Sequence, residues 1–410
     1  MDFAKLKTML DARQPGHTLP QGFYLDPEIF EFDLTAIFGR SWIMAGFEAE
    51  LPKPTSYLSF LIGRSPVLIL RDRAGVLRAF HNICRHRGAQ ICPVGRGRVP
   101  RLMCPYHGWT YELDGRLIHS TRMQDDFDPS QHGLRPAHLE TIAGTIYVCL
   151  ADDPPPFAPF REHVQPLLAP HGLHEAKVVA ETTLVEKANW KLVMENAREC
   201  YHCAGRHPEL SKAFPVRRSK AEYEGTGDLS NGFRAKMEER GLGVGPVSGE
   251  WWQASRFPLN DGCVSLTMDG QPSVKMTLGQ VGDGDVGSLR WALEPHSFCH
   301  VLGDYAFMFS AMPTGPLETI VTSKWLVHKD AVQGVDYDEK RLIELWTKTN
   351  YQDRDLAENN QRGVNSVGYT PGPYSTDAES LVLRFTNWYC ERARSFIEEN
   401  SGQSNARRVN

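Results

Sequence analysis

Four residues in two short segments have the types and spacing to hold metal. Cys84-Arg85-His86-Arg87-Gly88 and Cys104-Pro105-Tyr106-His107-Gly108-Trp109 supply a Cys-x-His and a Cys-x-x-His pair with seventeen residues between them. Two thiolates on one iron and two neutral imidazoles on the other make a [2Fe–2S] cluster whose potential lies well above that of an all-cysteine cluster. Such a centre passes single electrons. The same four donors could close a tetrahedral zinc site. Zinc sites, however, usually take a close cysteine pair and then a close histidine pair, whereas each loop here gives one of each type.

A second concentration of chemistry lies in Asn196-Ala197-Arg198-Glu199-Cys200-Tyr201-His202-Cys203-Ala204-Gly205-Arg206-His207-Pro208. Two histidines five residues apart on an unbroken helix point about 140° apart, so both cannot reach one metal from it. Pro208 disfavours the helical conformation at His207, which lets that imidazole swing back toward His202. Two imidazoles and one carboxylate form the facial triad of non-haem Fe(II) sites, with positions left open for dioxygen. The carboxylate need not be local.

Arg87-Gly88 and Pro105-Tyr106-His107-Gly108-Trp109 resemble the Rieske consensus, so loop geometry as well as ligand type is recognisable. Followed by Asn196-x-x-Glu199-x-x-His202-x-x-x-x-His207, they look like the α-subunit of a Rieske non-haem iron oxygenase. The resemblance covers nearly the whole chain and implies an α+β fold. An N-terminal antiparallel β Rieske domain is followed by a C-terminal catalytic domain of helix-grip type, an antiparallel sheet with helices. It implies a [2Fe–2S] cluster on Cys84, His86, Cys104 and His107, and a mononuclear Fe(II) on His202, His207 and a downstream aspartate. In that family the aspartate is followed by Glu five and Gln eight residues later; Asp353 fits, with Glu358 and Gln361, and Asp355 competes. Glu199 is implied to bridge the two centres, touching a histidine of the mononuclear site and His86 or His107 of a neighbouring subunit in a head-to-tail trimer. Asn196 reads equally as a helper beside the iron and as a plain helix-surface polar residue. The implied partners are a separate flavin reductase fed by NAD(P)H and further copies of the chain, as a homotrimer or a dimer of trimers.

Ring-dihydroxylating members mostly carry Asp at the bridging position. Glu199 within Glu195 to Cys203, and the closing Phe385-Thr386-Asn387-Trp388-Tyr389, most resemble the subgroup acting on glycine betaine and proline betaine. The implied reaction is hydroxylation of an N-methyl group, N-demethylation with loss of formaldehyde. Aromatic faces hold a permanent cation through contacts worth roughly 0.5 to 2 kcal/mol each. Trp251, Trp252, Trp291, Phe298, Tyr305, Phe307 and Phe309 are the candidate cage, although strand alternation reads several of them as core. Two other readings stand: a ring-hydroxylating dioxygenase large subunit, and a pure Rieske electron carrier, which leaves His202, His207 and Asp353 without a purpose.

These residues must be positioned by a chain of 410 residues with formal net charge −5, long enough for two domains and without the basic surplus that nucleic acid would demand. The N-terminus lacks the apolar core of a secretory signal, and no apolar run approaches the roughly 18 residues that span a bilayer; we read a cytoplasmic enzyme. Nine cysteines are too few for a disulfide scaffold, so Cys92, Cys149, Cys200, Cys203, Cys263, Cys299 and Cys390 are expected as thiols. Helical spacing runs from Asp26 to Trp42 and from Tyr337 to Arg362, where Gly363 is a natural stop. Tyr57–Ile62, Pro66–Leu70, Val76–Phe80, Gly144–Leu150 and Ser323–His328 read as strands. Asp114-Gly115 is a hairpin signal, and both ligand pairs are expected at hairpin tips. Gly225–Gly249 and Gly279–Gly287 read as loops, and Ser401–Asn410 as a frayed tail. Pro154-Pro155-Pro156 marks a linker. The expected division is residues 1–39 packing on the catalytic domain, 40–155 as the Rieske domain and 156–410 as the catalytic domain.

Overall fold

The computed structural model describes residues 3–216 and 227–406. The chain forms two compact units, Phe38–Pro156 and Met1–Ile37 with Phe157–Asn410.

In the smaller unit, β2 (Ser56–Ile62), β3 (Ser65–Arg71), β4 (Leu77–His81) and β5 (Gly95–Arg98) form an antiparallel sheet in the order β4-β3-β2-β5. The apolar run Val67 to Leu70 is wholly buried, which suits a central strand enclosed on both faces. Asp72 makes the turn after it, its Oδ1 accepting from the N–H groups of Ala74 and Val76. A second sheet joins β6 (Leu102–Met103), β7 (Thr110–Tyr111) and β8 (Leu117–His119). A third joins β1 (Ile43–Phe47), β10 (Thr145–Cys149) and β9 (His138–Ile142), in that order. Only the second ligand pair sits at a true hairpin tip, between β6 and β7. The first does not: its loop leaves β4 at one edge of the four-stranded sheet and returns as β5 at the other, closed at its base by the Ile83–Gln90 bridge. The Asp114-Gly115 turn joins β7 to β8 with Gly115 at φ 90°. A Cβ there would stand 2.5 Å from Phe80, so both conformation and space demand glycine.

The larger unit is built on an antiparallel seven-stranded sheet in the order β11-β17-β16-β15-β14-β13-β12. Its strands are β11 (Ala176–Glu186), β12 (Val247–Ser248), β13 (Trp252–Phe257), β14 (Ser288–Leu293), β15 (Ser297–Val301), β16 (Ala306–Gly315) and β17 (Glu318–His328). The Glu339–Val364 helix packs on β11 and on the short Trp190–Asn196 helix. It begins two residues later than its pattern suggests, because the Asp338 side chain caps it by accepting from Arg341 N–H, and it runs through Gly363. Leu342, Leu345, Trp346, Thr349 and Asn350 are its buried face, the i, i+3, i+4 stripe of an amphipathic helix.

The single helix expected from Asp26 to Trp42 is instead three pieces: Pro27–Phe32 capped by Asp26, a π-helical stretch Asp33–Ile37, and a 3-10 turn Phe38–Arg40. Asp33 at the break is fully buried and ion-paired with Lys191, and its carboxylate also accepts from Trp190 Nε1 (2.9 Å) and Tyr389 OH (2.8 Å). These bonds tie the N-terminal segment to the Trp190–Asn196 and Ser380–Ala406 helices. Asp228–Glu239 is helical where a glycine-rich loop is expected, while residues 217–226 lie outside the described residues. The expected frayed tail is helical to Ala406, and 407–410 lie outside the described residues. Among the described residues no helix is long and apolar enough to cross a membrane.

Candidate metal centres and the adjoining cavity

The two loops of the smaller unit repeat one hydrogen-bond pattern. Cys84 N–H donates to Ala89 O and Gly88 N–H to Cys84 O; Cys104 N–H donates to Trp109 O and Gly108 N–H to Cys104 O. Gly88 and Gly108, each four residues after its cysteine, have φ 76° and 72°, which turns both chains back on themselves. Cys84 and Cys104 are thereby buried, while His86 and His107 are exposed with ring centroids 4.7 Å apart. Trp109 stacks on His86 at 4.9 Å. Two inner thiols and two outer imidazoles suit a cluster with one sulfur-bound and one nitrogen-bound iron. Tyr111, unmarked in the sequence beyond its place in a strand, has its hydroxyl 3.2 Å from Cys84 Sγ. Burial, then the hydrogen bond with Cys84, pushes its pKa up, keeping the hydroxyl a donor to sulfur, a contact that tunes cluster potential.

In the larger unit the Asn189 side chain caps the Trp190–Asn196 helix. The chain then leaves helical conformation, so Glu199 and His202 meet across a turn and not on one helix face. His207, before Pro208, closes the short Cys203–Arg206 helix at φ −120°, ψ 67°, outside the helical region as the proline requires. Its Nε2 lies 3.0 Å from His202 Nε2 and 2.9 Å from Asp353 Oδ1, and His202 Nε2 lies 3.3 Å from that oxygen. Donors at right angles about a first-row metal with bonds near 2.1 Å stand about 3.0 Å apart, so the three atoms fit one facial set. Each imidazole is oriented from behind: Glu199 Oε1 meets His202 Nδ1, and Gln352 Oε1 lies 2.7 Å from His207 Nδ1. Asn196 Nδ2 donates to Asp353 Oδ1 at 2.8 Å, which favours the helper role over the surface one. Asp355 is 70% exposed and paired with Arg354, away from the site. Glu358 and Gln361 accept from the backbone N–H groups of Lys187 and Asn189, holding the bend that starts the Trp190–Asn196 helix.

Burial opposes a charged His202, but hydrogen bonds to Asp353 and Glu199 outweigh it and hold its pKa up to about 9. Asp353 is pushed up by burial and brought below the usual carboxylate range by the two histidines. The cluster is thus an anion with protons where a cation could sit. Cys200 and Cys203, expected as thiols, are joined in a disulfide with Cα atoms 4.9 Å apart, because the turn between them brings them together. Cys203 Sγ, 3.8 Å from His202 Nε2, is therefore no thiolate ligand.

A cavity beside the three donors is lined by Phe214, Phe298, Phe309, Trp346, Arg290 and His300, among others. Of the predicted cage, Phe298 and Phe309 line it; Trp251, Trp252, Trp291, Tyr305 and Phe307 do not. Trp291 alternates to the face of β14 opposite Arg290. Trp251 and Trp252 pack on Phe160. Tyr305 donates to Leu266 O, and Phe307 is covered by Trp346, stacked at 4.3 Å. Trp346 itself was legible: with Thr349, Asn350 and Asp353 it makes an i, i+3, i+4, i+7 face.

Glu186, the last residue of β11, also lines the cavity, buried and with Oε2 lacking a hydrogen-bond partner. Burial, then the charges of Asp353 and Glu358, push its pKa up to about 8. Between the unfolded carboxyl value near 4.3 and that pKa, the folded state keeps a proton the unfolded chain has lost. Stability therefore falls with rising pH, by at most about 1.4 kcal/mol per unit. Glu186→Gln removes this loss, so its melting temperature relative to the unmodified metal-free protein should climb from pH 5 to pH 8. A constant difference over that range means Glu186 ionises normally.

A Rieske-type loop pair in one unit and a two-histidine, one-carboxylate site in a helix-bearing antiparallel sheet define an oxygenase that takes electrons one at a time. Residues 41–135 match the Rieske [2Fe–2S] domain and 173–395 the ring hydroxylating α-subunit catalytic domain. The chain belongs to the Rieske oxygenase α-subunit family, so the zinc and electron-carrier readings fall. It is 44% identical over 402 residues to the glycine betaine monooxygenase oxygenase subunit of Pseudomonas aeruginosa (strain UCBPP-PA14), covering 96% of this chain and 93% of the relative. It is also 44% identical to that of Chromohalobacter salexigens, covering 95% and 89%. A solved quaternary ammonium Rieske monooxygenase shares the fold, with TM-score 0.73 at 22% identity over 94% of this chain and 98% of that one. The chain is an oxidoreductase that carries a Rieske [2Fe–2S] domain and a mononuclear iron domain, and it works with a separate reductase on a small molecule.

Proposed function

We propose that the chain N-demethylates a small quaternary ammonium carboxylate of the glycine betaine or proline betaine type. The observation that carries this is the aromatic cavity of Phe214, Phe298, Phe309 and Trp346 beside the His202, His207 and Asp353 donors, supported by the 44% identity to glycine betaine monooxygenase subunits along 96% of the chain. His202, His207 and Asp353 hold the mononuclear iron, which when bound supplies reductive activation of O2. Cys84, His86, Cys104 and His107 hold the cluster. The ring faces hold the cation, Asn196 fixes Asp353, and Glu199 couples His202 to His86 or His107 of a neighbouring subunit in a trimer or dimer of trimers. The cell compartment in this reading is the cytoplasm, where an NAD(P)H-fed flavin reductase operates.

One oxygen atom enters an N-methyl C–H bond and the other leaves as water, with two electrons and two protons consumed. The resulting N-hydroxymethyl ammonium breaks its C–N bond, giving the tertiary amine, formaldehyde and a proton. With a flavin reductase and NADH, glycine betaine or proline betaine should drive O2 uptake with equimolar formaldehyde. Uptake with aromatic acids and no formaldehyde from any betaine overturns the reading in favour of ring hydroxylation.

A further inference from the structure

The cavity beside the three donors has a volume of about 70 Å³, room for roughly five to seven waters. Next to it lies a second cavity of about 290 Å³. Phe214 and Arg290 line both, so these two side chains form the partition. Strand register shows how the two spaces lie on the sheet. Ser255 of β13 pairs with Arg290 of β14, which pairs with His300 of β15. Cross-strand partners project from one face, so Arg290 stands between Ser255 in the larger cavity and His300 in the smaller. The Phe214 ring spans the same boundary. It meets Phe257, of the larger cavity, at 5.4 Å and His300, of the smaller, at 6.1 Å. The His300 ring in turn lies 5.1 Å from Trp346, which is seven residues, about 10 Å of helix, before Asp353. The partition therefore closes the end of the smaller cavity remote from Asp353.

The chain holds Phe214 in a fixed relation to the iron donors. Ser211 N–H donates to His207 O and Ser211 Oγ to Cys203 O, which seats the Leu210–Ala213 helix directly after His207. Phe214 ends that helix with extended backbone (φ −81°, ψ 134°), as Pro215 requires. Asn260 Nδ2 reaches the carbonyls of Ser211, Lys212 and Phe214 at 3.0, 3.1 and 3.1 Å, groups the helix end leaves open. None of these bonds uses the Phe214 ring, so a shorter side chain leaves them in place. Behind the ring, Gln253, Ser255 and Phe257 alternate toward the face that carries Arg290. The Gln253 amide nitrogen is buried there and has no hydrogen-bond partner among the described residues, a donor that an acceptor on a ligand would satisfy.

A substrate whose methyl group lies at His202, His207 and Asp353 turns its other end away from them, and added length in that direction meets the partition. We propose that Phe214 sets the length of substrate the chain accepts. It confines the site to short quaternary ammonium carboxylates, and once the ring is removed the larger cavity, with Gln253 as donor, becomes a subsite for the carboxylate end of longer ones. This rests on the quaternary ammonium reading above.

The test is calorimetric binding to anaerobic holoenzyme of glycine betaine and of 4-(trimethylammonio)butanoate, which has two further methylenes between ammonium and carboxylate. Iron content and the Rieske spectrum serve as folding controls. Wild type should prefer glycine betaine. Phe214→Ala should shift the ratio of the two affinities toward the longer ligand on the order of 10- to 100-fold, the scale on which an apolar pocket discriminates a methylene. Phe214→Leu, which keeps more of the space filled, should lie between. Gln253→Leu added to Phe214→Ala should weaken the longer ligand again; a gain that this change does not touch overturns the subsite. An unchanged ratio in both Phe214 variants, or a wild type that binds the two ligands equally well, overturns the length limit while leaving the demethylase reading intact. Failure of wild type to bind either ligand overturns both.

Discussion

Asp353→Ala should abolish mononuclear iron and formaldehyde production while leaving the Rieske absorption and EPR signals unchanged. Asp353 Oδ1 lies 2.9 and 3.3 Å from the two imidazole nitrogens, so its removal takes one donor of three and the only negative charge among them. Two neutral imidazoles then face a divalent ion alone. Loss of a residue that merely orients a ligand costs 10- to 100-fold in metal affinity; loss of the ligand itself should exceed about 100-fold. Asn196 loses its acceptor as well, so the donors are less well placed even in excess iron. The cluster donors belong to the other compact unit, so their spectra serve as an internal control for folding. Asp355→Ala, at an exposed position paired with Arg354, should keep iron near wild type. Iron analysis of the two variants side by side decides the matter: iron and turnover retained in Asp353→Ala would remove that residue from the site.

How much of this was legible follows from sequence distance. The cluster pairs and His202 with His207 are local patterns, and Pro208 states in sequence why the second imidazole can return. Asp353 is 146 residues from His207; it continues the helix face of Trp346, Thr349 and Asn350, which Asp355 does not, but that face names no metal, and the resemblance, through Glu358 and Gln361, was what pointed to it. What those two do was invisible, since their work is to receive the backbone N–H groups of Lys187 and Asn189. The cavity was least legible. Its membership depends on strand register, which pairs Arg290 with His300, and on what covers what, as Trp346 covers Phe307. The break of the expected Asp26–Trp42 helix has the same origin: Asp33 finds tertiary partners in Lys191, Trp190 and Tyr389 that outweigh continuous helix. Aromatic residue counts and strand alternation carry none of that information.

Glu199→Gln should preserve both metals and suppress turnover on the order of 100-fold. Glu199 Oε1 receives His202 Nδ1, which commits Nε2 of that ring to the metal side. Its Oε2 accepts from the backbone N–H groups of Tyr201 and His202, which leaves the second lone pair of Oε1 to offer to a further donor. A cluster histidine bound to iron through one nitrogen presents N–H from the other, so both imidazoles that Glu199 is proposed to join are donors. Only a group with two accepting oxygens serves both rings and the two backbone N–H groups at once. Glutamine keeps one acceptor and turns a donor toward the other partner, which costs roughly 1.5 to 3 kcal/mol and corresponds to about 10- to 150-fold. The retained acceptor still orients His202, which is why iron should stay. Single-turnover kinetics separate this from a structural role: the reductase should reduce the Glu199→Gln cluster at the normal rate, while substrate-dependent reoxidation by O2 slows. Normal reoxidation with both metals present would place the electron path through another group on this face, and slow reduction would instead locate the defect at the cluster.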